Sequence, residues 1–135
     1  MRKPALLAAA LIAFALPIVG NAPTSEATVS SQSVRHVECS DHLHAPWVAL
    51  YEHVNFGGRC DAYEGPGDLV LPSGVAYTAS SVNIGANGWF FDDRKGPGNL
   101  RESLPFQYGT QWADLRVIGG YGDWNDRIGE IEIDS

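Results

Sequence analysis

Tyr51-Glu52-His53-Val54-Asn55-Phe56-Gly57-Gly58 is the stretch on which the reading of this chain turns. An aromatic follows a short apolar run, Val48-Ala49-Leu50; a second aromatic comes five residues later and a glycine two after that. Arg59-Cys60-Asp61-Ala62-Tyr63 then reads as a partner strand. The spacing predicts a sharp hairpin with Gly58 where the backbone turns back through positive φ, a region in which a Cβ is penalised. The two rings then pack on each other over the folded corner.

A second segment, Trp124 to Ile133, has the form of a turn followed by a closing strand in which Gly129, Ile131 and Ile133 alternate with Glu130 and Glu132. With the hairpin, it resembles the βγ-crystallin superfamily, whose Greek-key fingerprint is aromatic, four residues, aromatic, any residue, glycine. In that family an Asn/Asp pair, two free positions and two hydroxyl residues precede the closing strand. The second half keeps the pair as Asn125-Asp126 but has Gly129-Glu130 in the hydroxyl positions. The first half keeps Ser80-Ser81 but has Ala76-Tyr77 in place of the acidic pair. The resemblance implies an all-β chain with two Greek-key motifs forming one βγ-crystallin-like β-sandwich over residues 47–135. Tyr51 corresponds to Phe91 and Gly58 to Gly98, whereas Phe56 is matched only by Gly96.

The expected strands are Trp47 to Glu52, Arg59 to Tyr63, Leu69 to Leu71, Ser80 to Gly85, Gly88 to Asp92, Arg101 to Leu104, a short piece from Leu115 to Ile118, and Arg127 to Asp134. Gly, Pro and Asp clusters separate them, and no stretch carries a 3.6-residue apolar period of helical length.

The resemblance also implies calcium (Ca2+). Crystallin sites are shared between the paired loops and use carbonyls, an Asn/Asp side chain and a hydroxyl, the oxygens a hard cation prefers. Carried over by position, the metal ligands are Glu52, Ser80, Asn125 and Asp126, with the carbonyl of Arg127. Each repeat has lost half of its loop, so one weak, structural site is expected rather than two. Small exported metalloproteinase inhibitors and killer-toxin-like proteins look like single crystallin domains too. The alternative is therefore a peptidase inhibitor or toxin acting through the loop 105–121, where Tyr108, Trp112 and Tyr121 would form a contact surface.

The chain begins with Arg2 and Lys3 followed by an apolar run from Ala5 to Val19, short for a membrane span. Residues 1–27 read as a signal peptide cleaved after Ala27, with Ala22 as the other site, and residues 28–46 as a flexible arm. The expected localisation is secreted. The full chain carries a net charge of −7, and cleavage makes it more acidic. That balance argues against nucleic acid and, for the mature form, against anionic membranes. An extracellular protein partner remains compatible with it.

Cys39 and Cys60 are the 2 cysteines, and an oxidising compartment favours a disulfide between them. Competing for Cys39 is a zinc reading, since His36, Cys39, His42 and His44, with Asp41, have suitable residue types and spacing. No nucleophile elbow, zinc-protease helix or phosphate loop is present. Asp92-Asp93 and Glu130/Glu132 fall at hairpin-end or outward strand positions, without the enclosure that shifts a catalytic carboxylate. A non-enzymatic protein is expected.

Overall fold

The computed structural model describes residues 33–40, 42–94 and 100–135. The expected signal peptide, Asp41, Gly96 and Gly98 lie outside the described residues. Nine strands make up the described fold: β1 (Arg35–Val37), β2 (Trp47–His53), β3 (Gly57–Glu64), β4 (Gly67–Val70), β5 (Ser81–Gly85), β6 (Gly88–Asp92), β7 (Glu102–Phe106), β8 (Gln111–Trp112) and β9 (Glu130–Ile133). They form two antiparallel sheets, ordered β1-β3-β2-β5-β8 and β4-β9-β6-β7.

Each Greek key lends its third strand to the other's sheet. β2, β3 and β5 stay together while β4 crosses to pair with β9; β6, β7 and β9 stay together while β8 crosses to pair with β5. The two motifs thereby share one core. Val48 and Leu50, Val82 and Ile84, Phe90, Leu104 and Phe106, and Ile131 and Ile133 alternate inward along their strands. Trp124, Leu115 and Ile128 from the connections fill the middle.

Strand boundaries differ from expectation mainly at the ends, where turn geometry decides. The largest difference is at Leu115 to Ile118, expected as a strand. Leu115–Val117 is instead a 3-10 turn capped by Asp114, whose side chain accepts from the Arg116 amide, and the nearby strand is β8. The expected long loop 105–121 therefore contains the end of β7, all of β8 and this turn.

The arm expected to be flexible is also structured in its described part. β1 pairs with β3, placing His36 opposite Tyr63. Glu64, 6% exposed, accepts from the Arg35 guanidinium at 2.9 Å and from the His44 amide at 2.7 Å, so one buried carboxylate holds both ends of the arm. The Cys39–Cys60 disulfide fastens the middle, with Cα atoms 6.1 Å apart. Polar composition hid this order, because the strand is short and its anchor lies 29 residues away. Among the described residues no helix is long and apolar enough to cross a membrane.

The decisive hairpin forms as the spacing predicts. Tyr51 and Phe56 meet edge to face with centroids 5.6 Å apart, a contact worth about 1 kcal/mol beyond area burial. Gly58 has φ 75°, and a Cβ there would sit 2.8 Å from the His53 ring. Gly58→Val is expected to cost about 2–3 kcal/mol through backbone strain and that clash, measurable by urea denaturation. An unchanged midpoint would show that this corner does not hold the fold.

Candidate functional site

Two loops face each other across the repeat axis, joined by reciprocal backbone bonds. The Tyr77 amide donates to the Ile128 carbonyl at 2.8 Å, and the Asp126 amide donates to the Ala79 carbonyl at 2.9 Å. Ser80 donates to Tyr51, and its counterpart Gly129 donates to Phe91. Tyr77 and Asp126 both take the left-handed conformation, with φ of 61° and 54°. The backbone keeps its two-fold pattern even where the side chains have diverged.

The first of the two resulting places lies between Glu52, Ser80 and Asn125-Asp126. The Ser80 amide bonds to Tyr51, next to Glu52, and the Asp126 amide bonds to Ala79, next to Ser80. Three chain segments thus converge here through two hydrogen bonds. Glu52 and Asp126 are exposed, Asn125 is half-buried and Ser80 is 9% exposed. Asn125 donates its side-chain amide to the Asp126 carboxylate at 2.8 Å, which fixes the two side chains relative to each other. The available donors are all oxygens, which fits a hard cation. Among the described residues no three His, Cys, Asp or Glu side chains converge as a metal centre, so a cation here would depend on carbonyls and a hydroxyl as well.

Ser81 has a different task from Ser80. Fully buried, its hydroxyl donates to the His53 carbonyl at 2.6 Å and accepts from the Phe56 amide at 3.0 Å. It pins the folded hairpin and is unavailable to a ligand. Ser80 alone is the expected ligand of the two serines; it precedes β5, whereas Ser81 opens that strand.

The second place, between Tyr77 and Gly129, is filled by the protein itself. The Tyr77 ring lies against Gly129, where a Cβ would stand 2.5 Å from the phenolic oxygen. Its hydroxyl donates to Asp93, and the Arg94 guanidinium covers its face 4.5 Å from the centroid. Asp92, at the position of Glu52, is 4% exposed and accepts from Arg94 at 3.0 Å and from Arg127 at 2.8 Å. Arg127 also reaches Glu102 and stacks on Trp124. Two guanidinium groups therefore supply positive charge in this half. Beside it, Arg101 lies 3.6 Å over the Phe91 ring and pairs with Glu130, so a cation–π contact covers Phe91 where the Phe56 ring packs on Tyr51 in the first half.

The network of Asp92, Arg94 and Arg127, and Arg101 beside it, are not legible in the sequence. The only signal was that Tyr77 and Gly129, on opposite loops, depart from the pattern together. As for zinc, Cys39 is consumed by its disulfide. His36 lies 3.4 Å from Asp61 and the His44 amide is held by Glu64, so these histidines serve other contacts.

No protein-family model and no curated protein matches the chain in sequence. Solved structures do match in shape. A domain solved for the evolution of the eye-lens βγ-crystallin fold aligns with 76% of this chain and 98% of its own, at 23% identity and a TM-score of 0.57. Spherulin 3A from Physarum polycephalum aligns with 76% of this chain and 95% of its own, at 26% identity and a TM-score of 0.55. The chain has the fold of the βγ-crystallin superfamily.

Two outcomes follow from the filled half. Gly129→Ser is expected to destabilise by about 1–3 kcal/mol, because its side chain meets the Tyr77 ring, and Tyr77→Ala in the same chain should recover part of that loss. Independent, additive effects in a double-mutant cycle would separate the two positions. Burial raises the Asp92 pKa, but donation from Arg94 and Arg127 outweighs it and holds the carboxyl below its ordinary 3.8. A depressed carboxylate contributes stability above its unfolded pKa and loses it as pH falls through the folded value. Stability should therefore drop on acidification below about pH 4, and Asp92→Asn should lower the neutral-pH melting temperature while flattening that drop. An acid limb of unchanged slope in the variant would assign it to other carboxylates.

Proposed function

We propose that this chain is a secreted, non-enzymatic βγ-crystallin-like module that binds calcium weakly at one site to stabilise its fold. The observation that carries the reading is the pair of backbone bonds, Asp126 to Ala79 and Ser80 to Tyr51, that draws the oxygen-bearing segments of both loops together. The ligands are Glu52, Ser80, Asn125 and Asp126, with neighbouring carbonyls. The other loop pair takes no cation, since Tyr77 fills it. Export is supported by the basic, then apolar, start of the sequence and by the disulfide. The acidic balance supports a mature form that engages neither nucleic acid nor anionic membrane.

A second reading, a peptidase inhibitor or toxin, rests on the rings displayed after β7: Tyr108 is 70% exposed and Tyr121 50%. An extracellular protein would be its partner. The rigid strand and turn within 105–121 suit a fixed contact surface.

Calcium titration distinguishes the two. With few charged ligands, the dissociation constant should fall at the weak, extracellular end, roughly 10⁻⁵ to 10⁻³ M. At a hundredfold excess, binding would add about 2.7 kcal/mol, enough to raise the melting temperature by roughly ten degrees or somewhat more. Asp126→Ala should remove most of that rise and leave the calcium-free protein folded, because Asp126 is exposed. A melting curve unmoved by millimolar calcium would favour the inhibitor or toxin reading.

A further inference from the structure

A cleft of about 460 Å³ opens between the β1–β3 side of the five-stranded sheet and β4 of the four-stranded one. His36, Asp61 and Tyr63 line it from one sheet; Leu69 and Val70 line it from β4, and Pro72 and Val75 close the end. The lining is largely apolar. Its polar groups are few and specific, which is how small-molecule sites are built.

One of those groups lacks a partner. Tyr63 is 2% exposed, and its hydroxyl is the one buried side-chain polar atom among the described residues without a hydrogen bond. A buried hydroxyl left unsatisfied costs more than an ordinary hydrogen bond contributes. Burial, and then the charge of Asp61, push its pKa up to about 12, so it remains a donor at any physiological pH. The Asp61 carboxylate already has its counter-charge in Arg59 at 2.8 Å, and the His36 ring lies 3.4 Å from it. The unused donor is thus buried beneath the cleft wall, and the cleft surface carries no unused charge. His36 packs with its ring 5.3 Å from Tyr63, and its side chain is 59% exposed; it is the wall best placed to give way.

We propose that this cleft binds a neutral, apolar small molecule whose single hydrogen-bond acceptor takes the Tyr63 hydroxyl. None of the residues assigned to calcium lines this cleft, although Pro72 and Val75 share the β4–β5 connection with Ser80.

Nile red, a neutral dye with a carbonyl acceptor, tests this in fluorescence titrations of the purified protein. Saturable binding at one dye per chain with blue-shifted emission is expected. Tyr63→Phe should weaken it about tenfold while leaving the dye-free melting temperature equal or higher, since the variant only removes an unsatisfied group. Val70→Asp, at a position 67% exposed, should weaken binding without unfolding the protein. Emission that does not saturate would overturn the proposal. So would Tyr63→Phe binding the dye as tightly as the parent, or Val70→Asp leaving the titration unchanged. A Tyr63→Phe protein that melts lower and whose parent binds no dye would overturn it in favour of an ordered water on the hydroxyl.

Discussion

The reciprocal bonds between the Tyr77 amide and Ile128, and between the Asp126 amide and Ala79, are the constraint from which the rest of this molecule follows. They require each loop to present a left-handed residue to the other. These residues, Tyr77 and Asp126, stand four positions ahead of β5 and β9. Because these contacts use only main-chain atoms, they tolerate almost any side chain. The two loops could therefore diverge to an oxygen-rich cluster on one side and a tyrosine-filled, arginine-braced cluster on the other. The fold records symmetry in its backbone and specialisation in its side chains.

Much of the architecture was legible in the sequence for a physical reason. A folded hairpin needs two rings and a left-handed glycine at fixed spacing, and period-2 alternation marks a half-buried strand such as β9. What remained hidden depends on distant partners. Nothing local to Arg35 announces that Glu64 will bury itself to receive it, and the polar run before Trp47 read as an arm for that reason. Arg101 replaces an aromatic by stacking on Phe91, a substitution of interaction type that spacing cannot show. The oxygen-bearing residues around Ser80 were readable only as positions in a resemblance; their convergence comes from bonds made by their neighbours.

The rings at equivalent positions of the two halves, Tyr51 and Phe91, are also held by different means. In the first, the buried Ser81 hydroxyl joins the two sides of the turn, and the rings of Tyr51 and Phe56 seal it. In the second, Glu130 stands at the position of Ser81 and holds Arg101 over Phe91. A neutral hydroxyl and an aromatic pair are insensitive to salt, whereas an exposed ion pair is screened by it. One half of the protein is thus built from packing and the other partly from charge.

The strands at the margins of the sheets have a consequence of their own. β1 spans three residues and β8 two, so both margins of the larger sheet offer little unpaired backbone to a neighbouring chain. On the smaller sheet, β7 carries Pro105, which has no amide to donate, and β4 begins at a glycine with φ 125°. Among the described residues, the two sheets thereby leave no long, regular margin on which a second copy could add. Short and interrupted edges of this kind work against strand-by-strand addition between copies at high concentration.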